Sequence, residues 1–261
     1  MLRFRSLASG SAGNATLVEA RCGLQTSRVL IDCGLGQRQL SQRLAAADLN
    51  IEQVDAIFIT HEHGDHVGCA LQVAARHRIA LWMSVGTWQH LEPRAQTAQL
   101  DLDLHFAADG DVLELGAVEL KPFTVPHDAR EPLQLHCSDG DRRLGLLTDL
   151  GHVSPHALRA LTGCHSLLLE SNHDPELLAQ SSYPEFLKRR IAGNLGHLSN
   201  GQAAAALQQL QHPQLKQVVA AHLSERTNQP ELARQALSEA LQCRTEDILT
   251  ADPHGLGWLD T

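Results

Sequence analysis

Short apolar runs separated by glycine, serine and charged residues dominate about the first 150 positions of this 261-residue chain. Apolar runs of four to eight residues between turn residues are typical of buried β-strands. The pattern predicts strands in LRFRSLAS, NATLVEA, RVLIDCG, DAIFITH and IALWMSV. It also predicts two β-hairpins, DVLELGAVELKPFTV and LQLHCSDGDRRLGLLTD, the second with an Asp-Gly turn.

Helical periodicity becomes more frequent towards the carboxyl terminus. The segment RQLSQRLAAADL is already predicted to be helical, with apolar residues at Leu40, Leu44 and Leu49. Helices are also predicted in VGCALQVAARHR, SNGQAAAALQQLQ and PELARQALSEALQ, and strands in SLLLES, QVVAAHLS and GLGWLDT. Because no Pro-, Gly- or Ser-rich linker divides the chain, we predict a single domain over residues 1–261, with sheets in the middle and helices outside.

Charge and composition narrow the function classes. The net charge of −9 argues against bulk electrostatic attraction to nucleic acid, although it is compatible with a local basic groove. No apolar run approaches the roughly 20 residues of a membrane span, and the N-terminal segment lacks the apolar core of a signal peptide. The six cysteines form no C-x-x-C pair, which favours a reduced chain. We therefore expect a cytoplasmic protein without a membrane partner.

The segment HEHGDH, directly after the apolar run IFIT, concentrates potential metal ligands. His61 and His63 are two positions apart and point the same way from an extended chain. Gly64 then permits a sharp turn before Asp65 and His66. Neutral imidazole and carboxylate suit zinc, iron or manganese, and two such groups of ligands could serve two adjacent metals. A solvated polar loop is the alternative, but it has no reason for this spacing after a buried strand.

This pattern resembles the signature of the metallo-β-lactamase fold, an α+β, four-layer αββα sandwich with metals at the sheet edge. Further motifs of that fold follow the same order along essentially the whole chain. They are Asp32 in LIDCG, His127 in VPHD, Asp149 in LLTDLG and His222 in VVAAHLS.

The resemblance implies a site for two divalent transition metals, zinc, manganese or iron. Its ligands would be His61, His63 and His127 for one metal and Asp65, His66 and His222 for the other, with Asp149 as the bridge. Asp32 resembles the aspartate that supports the ligand loop, the alternative being a strand-end residue that caps a turn.

Two positions narrow the chemistry that the resemblance implies. Redox di-iron members usually carry Glu where this chain has His63, which argues against reduction of dioxygen or nitric oxide. Antibiotic-hydrolysing members commonly carry Cys where this chain has Asp149. An oxygen bridge suits a hydroxide shared between two metals and a phosphate or ester held across them.

The segments SGSAGN, ESNHD, YPEFLKRRI and GHLSN resemble the YycJ/WalJ branch of this fold, which is associated with 5′–3′ exonuclease activity on DNA. That branch lacks the β-CASP insertion of larger nucleases. The short segment between Asp149 and His222 leaves no room for such an insertion here either.

The GHLSN segment also suggests a phosphate site. Ser199 or Asn200 would cap the following helix, whose start would bind a phosphate oxygen. His197 would be a general acid or a phosphate ligand, or only a loop cap, and Glu170 would orient it or be a structural strand-end acid. We also expect Lys188 to bind phosphate, with a solvated helix face as the alternative.

His173 is expected to support the site, the alternative being part of a helix start. The leading interpretation is a metal-dependent phosphodiesterase, most specifically a 5′–3′ DNA exonuclease. It would use a metal-bridging hydroxide, with Asp65, His197 and Glu170 as catalytic residues and DNA or another phosphodiester as substrate. The alternatives are a hydrolase of a small phosphodiester or thioester, and a non-catalytic, nucleic-acid-associated metalloprotein.

Overall fold

The computed structural model describes residues 1–261, which form fourteen strands and nine α-helices. The strands are β1 (Leu2–Ala8), β2 (Ala15–Cys22), β3 (Gln25–Ile31), β4 (Ala56–Phe58), β5 (Ala80–Met83), β6 (Leu104–Phe106), β7 (Leu113–Leu115), β8 (Val118–Thr124), β9 (Leu133–Ser138), β10 (Arg143–Leu147), β11 (Ser166–Glu170), β12 (Gln217–Ala221), β13 (Leu249–Thr250) and β14 (Leu259–Asp260). The helices are α1 (Gln37–Ala45), α2 (Gly64–Val67), α3 (Ala70–His77), α4 (Val85–Thr97), α5 (Pro155–Leu161), α6 (Pro175–Gln180), α7 (Glu185–Ile191), α8 (Asn200–Leu210) and α9 (Pro230–Leu241).

The strands build two seven-stranded sheets. The first has the order β14-β1-β2-β3-β4-β5-β6, and the second has the order β13-β12-β11-β10-β9-β8-β7. Each sheet combines antiparallel strands with a parallel run, which extends from β3 to β6 in the first sheet and from β10 to β13 in the second. In parallel runs of this kind, ligand sites form at the carboxyl ends of the strands.

Three apolar cores separate four layers. Phe4, Phe58 and Leu135 are among the buried side chains between the two sheets. A second core lies under α1, α3 and α4 on the outer face of the first sheet, and a third lies under α5, α8 and α9 on the outer face of the second. The predicted αββα sandwich is thus confirmed, and both predicted hairpins are present as β7–β8 and β9–β10.

The predicted helix over VGCALQVAARHR is wrong in one respect, because the chain breaks at Gly68 between α2 and α3. Gly68 has a φ angle of 38°, and a Cβ atom there would collide with the Cys33 carbonyl oxygen. This close approach of two loops requires glycine, and it fixes α2, which carries Asp65 and His66, against the end of β3.

Helices α4 and α5 were not anticipated from the hydrophobic pattern. Helix α4 contains an internal proline, Pro93, which normally argues against a helix. It begins after Ser84, whose Oγ accepts the N–H of Thr87, and α5 begins after Ser154 in the same way. None of the helices has the length and apolar character that crossing a membrane requires. All six cysteines are free thiols.

Candidate metal centre

The candidate site lies where parallel strands of both sheets end. Asp32 directly follows β3, His61 lies in the loop after β4, and Asp149 lies in the loop after β10. Glu170 is the last residue of β11, and His222 directly follows β12. Because these strands belong to the parallel runs, their carboxyl ends meet along one edge of the sandwich, where the five side chains come together.

Three strand-end residues adopt backbone conformations that are uncommon outside glycine. The φ angles of Asp32, Asp149 and His222 are 60°, 58° and 54°. Left-handed conformations cost a non-glycine residue roughly 1–2 kcal/mol and cluster at functional sites. Asp32 donates its N–H to the Phe58 carbonyl and His222 donates its N–H to Ser9 Oγ, each at 2.8 Å. Contacts with neighbouring elements thus hold the chain in these turns.

The seven residues expected to bind metals lie together at this edge. The candidate ligand atoms form four groups, and within each group they are within 4.8 Å of one another; one of the four consists of Asp149, Glu170, His197 and His222. The triple-histidine cluster consists of His61, His63 and His127, and the Asp65 cluster consists of Asp65, His66 and His222. Asp149 groups with His61 and His66, so its carboxylate lies between the two clusters.

The candidate ligand atoms of both clusters face one another at short distances. In the triple-histidine cluster, Nδ1 of His63 lies 3.1 Å from Nε2 of His61 and 3.3 Å from Nε2 of His127. Nε2 of His222 lies 3.5 Å from Asp149 Oδ1, and Nε2 of His66 lies 3.2 Å from Asp149 Oδ2. Even so, His222 Nε2 and Asp149 Oδ2 are buried and have no partner with hydrogen-bond geometry.

Buried polar atoms left unpaired are costly, and a bound cation removes that cost. The other ring nitrogens are already fixed. Nδ1 of His66 lies 2.8 Å from Asp32 Oδ2, and Nδ1 of His222 lies 2.9 Å from Glu170 Oε1. Nδ1 of His127 lies 3.2 Å from a backbone carbonyl. This arrangement directs the Nε2 lone pairs inwards, as in metal-ligating histidines. The donor set therefore fits a pair of divalent metals.

Asp32 contacts the ligand loop as the resemblance implies. Its Oδ1 accepts the N–H of Thr60 at 2.9 Å and the Thr60 hydroxyl at 3.0 Å, while its Oδ2 faces His66. The carboxylate therefore fixes the backbone immediately before His61 and the ring of His66 together.

Burial and charge set the protonation states. Burial lowers the pKa of His61 well below its usual range and also lowers that of His127, which favours the neutral, metal-binding rings. Burial opposes ionisation of Asp149, but the imidazoles of His222 and His66 outweigh it and hold the Asp149 pKa well below its usual range. For His222 too, burial lowers the pKa, yet carboxylates led by Asp149 raise it to about 10. A metal must displace a proton from this ring when it binds.

Glu170 connects His197 to the Asp65 cluster. Its Oε1 lies 2.9 Å from Nδ1 of His197 and 2.9 Å from Nδ1 of His222, and its Oε2 accepts the N–H of Leu198 at 3.0 Å. Glu170 is fully buried, whereas the side chain of His197 is 23% exposed. The ring of His197 is thus anchored through Nδ1, which leaves Nε2 as the nitrogen without a protein partner.

A cavity of about 400 Å³ opens over these clusters. Residues of both clusters line it together with His197 and Asp149. The remaining wall is made by Ser11, Gly64, Asp128, Tyr183, Leu187, Arg190, Ile191 and Gly196. A substrate in this cavity would contact the candidate metal ligands directly.

Comparisons with known proteins agree with this geometry. Residues 27–223 match the family model described as the beta-lactamase superfamily domain. The chain belongs to the beta-lactamase superfamily. It is 35% identical to the exodeoxyribonuclease YycJ of Bacillus anthracis, over 92% of this chain and 89% of that protein. It is 33% identical to the exodeoxyribonuclease WalJ of Streptococcus pneumoniae strain D39, over 92% of this chain and 88% of that protein.

Solved structures show the same fold at low sequence identity. The metallo-β-lactamase fold protein YhfI from Bacillus subtilis superposes with a TM-score of 0.72 at 14% identity, covering 100% of this chain and 99% of YhfI. The short form of human tRNase Z superposes with a TM-score of 0.67 at 16% identity, covering 99% of this chain and 98% of that protein.

One polar residue of this superfamily site was not found by sequence reasoning. Nδ2 of Asn14 lies 3.1 Å from Nε2 of His66 and 3.3 Å from Asp65 Oδ2, while its Oδ1 accepts the N–H of Gly10 at 2.9 Å. Asn14 is 8% exposed. The SGSAGN segment, which contains Asn14, lines the cavity through Ser11. No spacing signal relates Asn14 to a loop about fifty positions away.

The structure does not bring the expected phosphate-binding residues to the superfamily site. Ser199 caps α8 by accepting the N–H of Gln202 on its own Oγ. Asn200 is buried and exchanges two hydrogen bonds with Asn228. Lys188 donates to a backbone carbonyl of α6. The expected cap by Ser199 is present, none of the three residues lines the cavity, and their expected role in binding phosphate stays a prediction.

His173 lies beside the site and directly before a helix. It is 3% exposed, and Nδ1 of its ring has no partner. Burial lowers its pKa to about 4 despite the nearby Glu170 carboxylate. The next residue, Asp174, caps α6 by accepting the N–H groups of Glu176 and Leu177. The position fits the helix-start alternative, and the expected supporting role of His173 stays a prediction.

The first prediction concerns metal content. Because Asp65 groups only with His66 and His222, Asp65→Ala should lose one metal preferentially and abolish turnover. Protein reconstituted with zinc or manganese should contain about two metals per chain, and the variant about one, by elemental analysis. Glu62→Gln is the matched control, because Glu62 lies in the same loop but hydrogen-bonds the Arg130 N–H instead. Fewer than one metal in the wild-type protein would contradict the assignment.

Proposed function

We propose that the protein is a metal-dependent phosphodiesterase that degrades DNA from the 5′ end in the cytoplasm. The observation that carries the proposal is the Asp149 carboxylate between two clusters of ligand atoms, at the floor of an open cavity. Two relatives that align over 92% of the chain are named exodeoxyribonucleases, which supports DNA as the substrate.

The triple-histidine cluster would hold one divalent metal and the Asp65 cluster the other, with Asp149 contacting both. When bound, such a pair supplies Lewis-acid stabilisation of the reacting phosphate and an activated water. Imidazole and carboxylate ligands suit zinc, manganese or iron. The absence of a cysteine among the seven ligands makes the site less selective for soft metals.

Side chains around the two clusters would orient the histidine rings and donate the proton to the leaving group. Glu170 fixes the rings of His197 and His222 through a single oxygen, so the two rings keep a constant relative position. Because the Nδ1 of His197 is held, its Nε2 is the atom that faces a bound substrate and donates a proton to the leaving oxygen. Asp32 and Asn14 hold the ligand loop without contacting the reacting atoms.

The proposal is tested with single- and double-stranded DNA labelled separately at each end. With manganese or zinc present, we expect mononucleotides to appear first from the 5′ end. A generic phosphodiester and a glutathione thioester are assayed in parallel. Efficient thioester hydrolysis with every phosphodiester left intact would refute the proposal, and release from the 3′ end would refute the polarity.

His197→Ala separates the proton donor from the metal ligands. Metal content should be unchanged, because Nδ1 of His197 contacts Glu170 and the residue belongs to neither cluster. Turnover of DNA should fall about 10²- to 10⁴-fold, the range typical of general acid catalysis. A substrate with a p-nitrophenolate leaving group needs no proton and should show a much smaller loss. Equal losses on both substrates would leave His197 with a phosphate-positioning role instead.

A further inference from the structure

One wall of the cavity has no role in the proposed reaction. It is formed by Tyr183 and by Leu187, Arg190 and Ile191 of α7. We propose that this wall is a nucleotide-binding subsite in which Arg190 binds a substrate phosphate and Tyr183 stacks on a nucleobase. The inference rests on the proposed function and specifies how that site holds its substrate.

Arg190 is the sole lysine or arginine that lines the cavity, whereas Asp65, Asp128 and Asp149 also line it. In a chain with a net charge of −9, a polyanionic substrate therefore depends on this cation and on the metals. The Arg190 side chain is 60% exposed, so a ligand can reach it.

Asp128, which lies beside the candidate metal ligand His127, holds the Arg190 side chain in place. Nε of Arg190 donates to Asp128 Oδ2 at 2.6 Å, and Asp128 Oδ1 lies 3.5 Å from Nε2 of His127. Because only Nε is engaged, the terminal guanidinium nitrogens are left to donate to a phosphate in the two-point geometry that arginine favours. Asp128 thus holds the guanidinium next to the triple-histidine cluster.

Tyr183 supplies the aromatic surface. It is the single tyrosine of the chain, is half-buried and lines the cavity. The guanidinium carbon of Arg226, an exposed residue, lies 5.7 Å from the centroid of its ring. Leu187 and Ile191 extend the apolar surface beside it. An aromatic ring backed by a cation is a common platform for nucleobases, and it tolerates all four of them.

The wall therefore combines the two chemical features of a nucleotide, an anion and a flat apolar base, beside the candidate metal ligands. A substrate consisting of a phosphodiester alone would use Arg190 and leave Tyr183 without a partner. A thioester of a peptide would need neither. Every nucleobase has a flat face that can stack on an aromatic ring. A single tyrosine could therefore accept DNA of any sequence.

The test is calorimetric binding of two ligands to the metal-loaded protein, deoxyadenosine 5′-monophosphate and 2-deoxyribose 5-phosphate. Wild type should bind the nucleotide about fivefold or more tightly than the sugar phosphate, because base stacking on an aromatic side chain contributes at least about that factor. Tyr183→Ala should remove this difference and Tyr183→Phe should keep it. Arg190→Ala should weaken both ligands by a similar factor.

Arg189→Ala is the matched control, since Arg189 is exposed on the same helix and does not line the cavity. It should bind both ligands as wild type does, and elemental analysis should show unchanged metal content in every variant. Equal affinity of wild type for the two ligands would overturn the inference whether or not any variant folds. Nucleotide-selective binding by a protein that degrades no DNA would support the subsite and refute the proposed exonuclease.

Discussion

The meeting of parallel-strand carboxyl ends from two packed sheets is the constraint on which the site depends. Asp32, Asp149 and His222 each leave a strand in the left-handed conformation, so their positions are set by backbone turns and not by flexible loops. The cost of those turns is offset by the packing of the two sheets on either side. Ligand geometry is therefore determined by the fold before any metal binds.

Two buried carboxylates transmit this rigidity to the side chains. Asp32 fixes the ring of His66 and the backbone before His61, while Glu170 fixes the rings of His222 and His197. The first carboxylate belongs to the first sheet and the second to the second sheet. Each sheet thus orients its own histidines, and the functional geometry depends on how the two sheets pack against each other.

Features carried by local pattern were predictable from sequence, and features produced by packing were not. The strand that delivers HEHGDH and the two hairpins follow from apolar runs and turn residues, whereas the set of seven candidate ligands is what the family resemblance implies. Helix α4 was not predicted, because it contains Pro93 and an internal proline normally argues against a helix. Asn14 was missed as a site residue because its partners are distant in sequence. At the start of α8 the cap by Ser199 forms as its sequence pattern indicates, whereas the pairing of Asn200 with Asn228 joins residues distant in sequence and could not be predicted.

The central claim is that two metals bind side by side and share Asp149. The most direct measurement is anomalous diffraction at the metal absorption edge, on crystals grown with manganese or zinc. We expect two peaks per chain, one within the triple-histidine cluster and one within the Asp65 cluster, with the Asp149 carboxylate contacting both. A single peak, or two peaks of which neither touches Asp149, would contradict this account.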